Sequence, residues 1–539
     1  MGISPVQKQN ATSRNDFMRP DQAIKRLHAW HKGRPLPSYK TRHFAIAEDK
    51  DLLIVAFIRM GGESAPWGIA WGHPGKKPET RTVPEARNRD AVAEMVANFA
   101  PILLKHYWSP LTHDWKSATE RDRTLPLRQV WLPNGSHIEM LHFLAYSYSF
   151  TKFGDATRYN MLNALGRLSG WLFREHDRPG QMTVMAGTDA LKRTYDFPAE
   201  DVRQAHLGFL LAWLETSGRR EKRLQAAQEA EEHSISMTLD PAIERDGLEP
   251  QVEKWNDHRL ASRVREAAKA DIAATIEKEL KDRFSLVEQT IQHLRMKGPR
   301  ENRGVAHLAQ GSLEEHWYQY LRLELRRDDP FDGNEFTPSP ETDRNPAAAA
   351  SRYFVQQASE EFSVAALIHD DEDLQREMVM QGNGIHGTCV AVRDDGEGTR
   401  RMEAIWTVHA DEVGSLRIRE GDTLCVAGRP KRHLQVLSID RRKNDVLEIE
   451  LEVIGAKKEY KDERGRMQPA ANSKAFIGDE LTLVPVPFDQ ISRRKNTKIW
   501  NAQGPGAWIT HVKPEAAKTA GRSKPSTDKD NLFEKLGRL

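Results

Sequence analysis

The apolar residues of this 539-residue chain change their spacing across one polar segment, residues 327–350. After Pro133 and before this segment, apolar side chains recur every three to four residues, as in "DATRYNMLNALGRLSGWLFREH", which is typical of amphipathic helices. Beyond it they alternate with polar residues in short runs such as "VLEIELEVIG", which is typical of half-buried strands. The segment itself is rich in Pro, Asp, Asn and Gly and has no apolar period. We therefore expect a helical part and a β-rich part joined by a linker at 327–350.

The β-rich part is expected to span residues 351–512, followed by a basic tail at 513–539. Its runs are short, alternate in polarity and are separated by Asp, Gly and Asn turns. They are "GIHGTCVAVRD", "EAIWTVHA", "SLRIREGDTLCVAG", "HLQVLSIDRR", "VLEIELEVIG" and "DELTLVPVPF". Strands of this number and length predict a small, closed or nearly closed antiparallel β-barrel.

The N-terminal residues 1–133 combine β-rich runs such as "DLLIVAFIRMG" with the amphipathic stretch "RDAVAEMVANFAPILLKHYW". We expect a small α+β unit here, with residues 1–15 disordered. The whole chain is thus predicted to be a multidomain α+β protein.

Residues 134–326 are expected to form a mostly helical domain, in which Ser136 and Asp155 are placed as N-caps. From Ser217 to Lys297 the composition shifts to Arg, Lys, Glu, Gln and Ala. High helix propensity with mixed charge predicts long exposed helices, arranged as a hairpin that stands off the body of the domain.

Composition is that of a globular chain with much polar surface, with 38% hydrophobic and 29% charged residues and a mean hydropathy of −0.68. No apolar run approaches the ~20 residues that cross a bilayer, and the N-terminus has no signal-like apolar segment. We expect a cytoplasmic protein without membrane contact. Neither Cys389 nor Cys425 has a nearby second Cys or a paired His at zinc spacing, so we expect buried thiols and no metal or other cofactor.

The stretch "PWGIAWGHPGKKPET", residues 66–80, invites comparison with a phosphate-binding loop. A P-loop needs Gly, four residues, and then Gly-Lys-Ser/Thr. Ala70 stands where the first Gly is required, and Lys77 replaces the hydroxyl residue. We interpret the stretch as a strand end and turn, in which Lys76 and Lys77 form a basic loop.

Hydrolase motifs are equally incomplete. Asp271, Glu279 and Lys281 fit a nuclease D…ExK pattern but lie in a charged helical run, where such triplets arise by chance. The pair Glu315 and His316, beside several aromatic residues, is the best candidate for acid-base chemistry, although an aromatic core helix explains it as well.

Positive charge is concentrated towards the C-terminus. Residues 491–539 hold 11 Lys or Arg and 4 Asp or Glu, a net charge of +7, whereas the whole chain carries only +2. Cations that neutralise phosphates and aromatic rings that stack on bases are the two components of a nucleic-acid groove. The residues predicted to form it are Arg429, Lys431, Arg432, Arg441, Arg442, Lys443, Arg493, Arg494, Lys495, Lys498, Trp500 and Trp508. The alternative is a solvated basic tail with two core tryptophans.

The runs "LRIREGDTLCVAG" and "VLSIDRRKNDVLEIEL" resemble the accessory β-barrel inserted in some superfamily 1 RNA and DNA helicases. The resemblance covers about a hundred of the 539 residues and rests on strand rhythm. The helicase motor motifs are absent from the sequence, so the resemblance implies only nucleic acid as a class of partner.

These patterns together favour a non-catalytic subunit that binds DNA or RNA, mainly through its backbone, and works with a separate protein that carries motor or nuclease activity. A bacterial defence (antiviral) or DNA-processing assembly is one setting for such a subunit. Two alternatives stay open. One is a nuclease or nucleotide hydrolase whose site is not visible as a linear motif, and the other is a helical scaffold for protein assembly.

Overall fold

The computed structural model describes residues 20–39, 41–113, 127–177, 180–200, 202–301, 365, 367–394, 404–411, 416–442, 446–454, 459–461, 467–469 and 477–485. The described residues belong to two compact units, the first containing those from 20 to 301 and the second those from 365 to 485. The expected linker, 327–350, lies outside the described residues.

The first unit combines a five-stranded sheet with helices of very different lengths. Its helices are α1 (Pro20–Lys32), α2 (Arg89–His113), α3 (Gly135–Tyr148), α4 (Ala156–His176), α5 (Gly187–Lys192), α6 (Leu207–Glu215), α7 (Arg220–Glu231), α8 (Glu249–Asn256) and α9 (Ser262–Met296). Short 3-10 turns occur at Asp49–Asp51 and Arg203–Ala205, and a π-helix occupies Ala242–Leu248.

The sheet of this unit is mixed. Its strands are β2 (Leu52–Arg59), β3 (Pro66–Gly72), β4 (Glu79–Thr82), β5 (Gln129–Leu132) and β6 (Val184–Ala186), in the order β4-β3-β2-β5-β6. Strands β2, β5 and β6 run parallel, whereas β3 and β4 are antiparallel to their neighbours. A separate two-stranded pair joins β1 (Leu36–Pro37) to β7 (Tyr195–Asp196). The expected domain boundary at residue 133 therefore falls between strands of one sheet.

Both faces of the central strand β2 are buried. Leu53, Val55 and Phe57 belong to one apolar cluster, and Leu52 and Ile54 belong to another. This explains why "LLIVAFI" is apolar throughout, since a strand covered on both faces needs no polar alternation. The first unit is thus a sheet layered between helices.

The prediction of a charged hairpin standing off the body is wrong for α9. This 35-residue helix packs on β2 and β3 and buries one apolar row. The row is Ile272, Ile276, Leu280, Phe284, Val287, Ile291 and Leu294. Its members recur at intervals of three and four residues, which keeps them on one face while the charged residues occupy the others. The many charges of this segment concealed that stripe.

Helix caps were predicted with mixed success. Asp155 is the N-cap of α4 and accepts a hydrogen bond from the Arg158 amide, as expected. The expectation that Ser136 caps α3 is wrong, because Asn134 holds the N-cap position and Ser136 lies in the first turn. There the Ser136 hydroxyl donates to the Asn134 side-chain oxygen at 2.7 Å.

The second unit contains helix α10 (Glu372–Met380) and a ring of antiparallel strands. The ring strands are β8 (Ile385–Asp394), β9 (Ala404–Asp411), β10 (Thr423–Val426), β11 (Arg429–Arg441), β12 (Val446–Ile454) and β15 (Glu480–Val484). They close in the order β10-β11-β12-β9-β8-β15, with β15 pairing again with β10. Each of the six runs predicted from the sequence overlaps one ring strand. The two-stranded ribbon of β13 (Glu459–Lys461) and β14 (Met467–Pro469) was not predicted.

The interior of the ring is filled by the alternate residues of its strands. In β12, Leu447, Ile449, Leu451 and Val453 are buried, while the residues between them are more exposed. Cys389 and Cys425 are free thiols, fully buried in β8 and β10, in agreement with the prediction. The described part of the ring therefore encloses a packed apolar core.

Candidate nucleic-acid interface

Strand β11 carries predicted cations at both of its ends. Arg429, Lys431 and Arg432 lie at its beginning, and Arg441 is its last residue. Nine residues separate Arg432 from Arg441, which corresponds to about 30 Å along an extended strand. These two basic groups consequently lie too far apart to contact the same phosphate.

Arg441 and Arg442 are both exposed, and Arg442 has a carboxylate partner. Its guanidinium forms a short ion pair with Glu448 on β12. This hydrogen bond and charge raise the pKa of Arg442. The pKa of Glu448 is lowered, first by Arg442 and then by His409, whose Nε2 lies 3.0 Å from the second carboxylate oxygen. Arg442 must therefore exchange Glu448 for a phosphate if it binds nucleic acid.

The outward face of strand β12 bears carboxylates. Along β12, Glu448, Glu450 and Glu452 alternate with the buried residues and so point away from the core. The cross-strand neighbour of Glu448 on β11 is Asp440, and that of Glu450 is Ser438. Outward carboxylates along β12 would repel phosphates.

Other exposed cations of the second unit were not singled out from the sequence. Arg393 lies near the end of β8, opposite Ile405 of β9. Arg417 and Arg419 precede β10, and the Arg419 amide donates to the Asp422 carboxylate at 2.8 Å in a tight turn. Alternation along "GTCVAVRD" would place Arg393 on the same face as the buried Cys389, but the register of β8 against β9 shifts between Cys389 and Ala391.

Several predicted residues have no described geometry. Strand β11 contains Arg429, Lys431 and Arg432, but their side chains lie outside the described part of the structure. Entirely outside it are Lys443, Arg493, Arg494, Lys495, Lys498, Trp500 and Trp508, and also the acid-base candidates Glu315 and His316. For these residues the interface stays a prediction.

The glycine-rich stretch of the first unit is a strand and turn. Its glycines allow α9 to approach the sheet, since a Cβ on Gly68 would lie 2.7 Å from Ile276 Cγ2 and one on Gly72 would lie 3.2 Å from Phe284. The Gly75 amide, which a phosphate loop would offer to its ligand, donates to the Glu288 carboxylate instead. A carboxylate in that position disfavours a phosphate site.

The three residues that fit a D…ExK pattern, Asp271, Glu279 and Lys281, have separate partners and do not form one site. Glu279 pairs with Arg283 at 2.9 Å, and Lys281 pairs with Glu277 at 3.1 Å, each within α9. Asp271 lines an open cavity of about 470 Å³ beside the π-helix, together with Ile243, Gly247, Leu248, Gln251, Ala274 and Thr275. These pairings within one helix support the interpretation that the D…ExK pattern arises by chance in a charged helix.

A hydrogen-bonded array of titratable side chains joins α6, β7 and α9. The Glu215 carboxylate accepts from Nδ1 of His293, and Nε2 of the same ring lies 3.0 Å from the Tyr195 hydroxyl oxygen. Lys297 forms an ion pair with the second oxygen of Glu215. Burial raises the pKa of Tyr195 to about 12, which is opposite to the shift that an activated hydroxyl needs. We assign this array a structural role.

Within the described ranges, no group of three or more His, Cys, Asp or Glu side chains is arranged to hold a metal ion. None of the helices in the same ranges has the length and apolarity that crossing a bilayer requires. Comparisons of the chain with models of protein families, with curated proteins and with solved structures found no significant match.

Proposed function

We propose that this chain is a non-catalytic subunit that binds DNA or RNA through the C-terminal part of its sequence, and that a separate protein supplies motor or nuclease activity. Binding is mainly to the phosphate backbone. The proposed contacts are the cations of the two ends of β11 and those of residues 491–539.

The observation that carries this proposal is the distribution of charge around β11. One strand of a small antiparallel ring holds Arg429, Lys431 and Arg432 at one end and Arg441 at the other. A strongly basic stretch of the sequence, 491–539, with a net charge of +7, follows the ring along the chain. Small antiparallel barrels are a recurrent scaffold for nucleic-acid binding, which adds a general argument from architecture.

The carboxylates of β12 refine the proposal. Glu448, Glu450 and Glu452 lie on the outward face of β12. Their carboxylates would repel the phosphates of a nucleic acid that crossed the middle of β11 and β12. We therefore expect the nucleic acid to bind at the ends of the ring and along the C-terminal cations. Such contacts read no bases, so affinity is expected to depend little on sequence.

The test is fluorescence anisotropy of the full chain with labelled single-stranded DNA, duplex DNA and RNA at about 50 mM salt. The variant Arg493→Gln/Arg494→Gln/Lys495→Gln should bind each probe more weakly. A matched control removes three exposed cations of the first unit that are already paired with aspartates, Arg245, Arg259 and Lys278. Equal binding by both triple variants and the unchanged protein would contradict the proposal.

The enzymatic alternative is decided by turnover. Purified protein is incubated with labelled DNA, RNA and ATP in the presence of magnesium or manganese. We expect no turnover, and cleavage or hydrolysis that His316→Ala abolishes would replace our proposal with an enzyme. The burial of the apolar row of α9 against the sheet argues against the scaffold alternative, because that row is not available to a second chain.

A further inference from the structure

Three aromatic side chains follow one face of α3 at four-residue intervals. They are His142, Tyr146 and Phe150, the last of which lies just after the end of the helix. The Tyr146 side chain is 87% exposed and that of Phe150 is 81% exposed. Rings of this size are normally buried in a core or covered by a partner. Two of them, one turn apart, therefore form a conspicuous apolar surface.

Cations of the neighbouring helix α4 lie beside these rings. The guanidinium of Arg167 is 5.5 Å from the centre of the Phe150 ring. Nη1 of Arg174 is 3.6 Å from the position that a Cβ of Gly170 would occupy, and that position lies 3.2 Å from the Ala145 Cβ on α3. Arg174 thus reaches the line where α3 and α4 meet, at the level of Ala145.

Glycines of α4 explain why the two helices bring these groups together. A Cβ on Gly166 would lie 2.5 Å from the backbone nitrogen of Ser149, so only glycine allows the helices to approach this closely. The exposed rings of the α3 segment and the arginines of α4 lie along this close helix–helix contact. We call Tyr146, Phe150, Arg167 and Arg174 the aromatic–arginine surface.

We propose that the aromatic–arginine surface binds single-stranded nucleic acid. Exposed rings stack on unpaired bases, and arginines beside them neutralise the adjoining phosphates. Residues one helical turn apart are separated by about 6 Å, which matches successive bases of an extended strand. A duplex offers no free base faces to these rings, so single strands are the preferred ligand.

This inference concerns the first unit and does not depend on the C-terminal interface. Its charge argues for nucleic acid over an apolar protein partner, since two arginines flank the exposed rings. A protein partner is treated as an outcome of the test. The experiment therefore has to locate the contact as well as measure its strength.

The experiment is photo-crosslinking of the full chain to a short oligo(dT) that contains 4-thiothymidine, followed by tryptic digestion and mass spectrometry. We expect a crosslink in the peptide that follows Arg128 and ends at Lys152, which includes Tyr146 and Phe150. Tyr146→Ala/Phe150→Ala should abolish this crosslink, whereas Tyr146→Phe should keep it. The loss of each stacked ring should weaken binding at this surface about 5-fold to 100-fold.

A matched control is Trp30→Ala, which removes another partly exposed ring. An arginine also lies over this ring, with the guanidinium carbon of Arg220 4.6 Å from the ring centre. It should leave the crosslink unchanged. Crosslinks confined to residues after 350 would overturn the inference and leave the C-terminal proposal standing. Crosslinks confined to the peptide ending at Lys152 would support the inference and contradict the C-terminal proposal. Self-association that the double variant abolishes, without any crosslink at this peptide, would assign the surface to a protein contact and overturn the inference.

Discussion

The imidazole of His137 joins three segments of the first unit. Its Nδ1 accepts from the Phe57 amide of β2 at 3.1 Å, so Nε2 carries the proton and donates to the Ile235 carbonyl at 3.0 Å. The ring is fully buried at the beginning of α3. One neutral histidine thus satisfies two backbone groups that would otherwise be unpaired in the core.

Replacing His137 with Ala should destabilise the first unit by about 2–5 kcal/mol, because it leaves a cavity and two unpaired buried backbone groups. The midpoint of urea unfolding, followed by tryptophan fluorescence, measures this loss. The exposed His258 supplies the control, since His258→Ala should change stability by less than about 0.5 kcal/mol. Equal midpoints for the two variants would contradict the role assigned to His137.

The pH dependence of stability should reflect two buried histidines. Burial lowers the pKa of His106 and of His137 from an ordinary value of 6.5 to about 3. The folded chain therefore keeps both rings neutral while the unfolded chain protonates them below pH 6.5. Their contribution is complete above pH 6.5 and is lost as the pH falls towards 3, by up to about 1.4 kcal/mol per pH unit for each ring.

Urea midpoints at pH 7.5, 6.0 and 5.0 measure this dependence. The decline should be shallower for His106→Gln, which retains a polar group beside the Gln129 carbonyl, the acceptor of His106 Nε2 at 3.1 Å. A midpoint that is constant from pH 7.5 to 5.0 in the unchanged protein would show that these histidines titrate alike in the folded and unfolded states.

At the scale of elements, the contact between α9 and β3 depends on residues without side chains. Gly68 faces Ile276 and Leu280, and Gly72 faces Phe284. Helix α9 can lie close to the sheet only because the strand presents no Cβ at these positions. The short pattern "PWGIAWG" is thus a packing device rather than a ligand loop.

Gly68→Ala should therefore destabilise the first unit by about 1–3 kcal/mol through overpacking. Gly62→Ala is the control, because a Cβ there meets nothing within 4 Å. Thermal unfolding of both variants provides the comparison. Combining Gly68→Ala with Ile276→Ala should cost less than the sum of the two single changes, since the second removes the group that the new methyl meets. Strict additivity would mean that the predicted clash does not exist.

The carboxylate row of β12 yields a prediction about binding. Glu448→Gln should strengthen the binding of DNA or RNA several-fold at low salt, because it frees Arg442 and removes a negative charge. Glu450→Gln removes an equal charge two residues away but releases no described ion pair, so its effect should be smaller. Anisotropy titrations of both variants measure the difference. Equal effects would indicate that Arg442 contacts no phosphate.

Sequence patterns were most informative where one physical factor dominated. The runs "DLLIVAFIRMG" and "PWGIAWG" predicted β2 and β3 because turns bound both of them, and alternation predicted the strands of the ring. The packing of α9 was missed because charged residues outnumber its apolar row. The pairing of Arg442 with Glu448 requires the exact register of β11 and β12, which no local pattern specifies.

At the scale of the whole molecule, the two units differ in how much of their fold can be predicted from the sequence. The change of apolar period near residues 327–350 lies between the described sheet and helices of the first unit and the described ring strands of the second. The first unit could not be divided correctly by composition, because β5 and β6 lie far from β2 in sequence and yet share its sheet. Long-range pairing of this kind leaves little local signal.

Backbone binding through the C-terminal cations is the central claim, and the salt dependence of affinity tests it most directly. If about five to seven cations meet phosphates, the logarithm of the affinity of the full chain should fall with the logarithm of salt with a slope of about −3.5 to −6. Arg493→Gln/Arg494→Gln/Lys495→Gln should reduce the steepness by about 2 to 3. A slope near zero, or one that the triple variant leaves unchanged, would contradict the account.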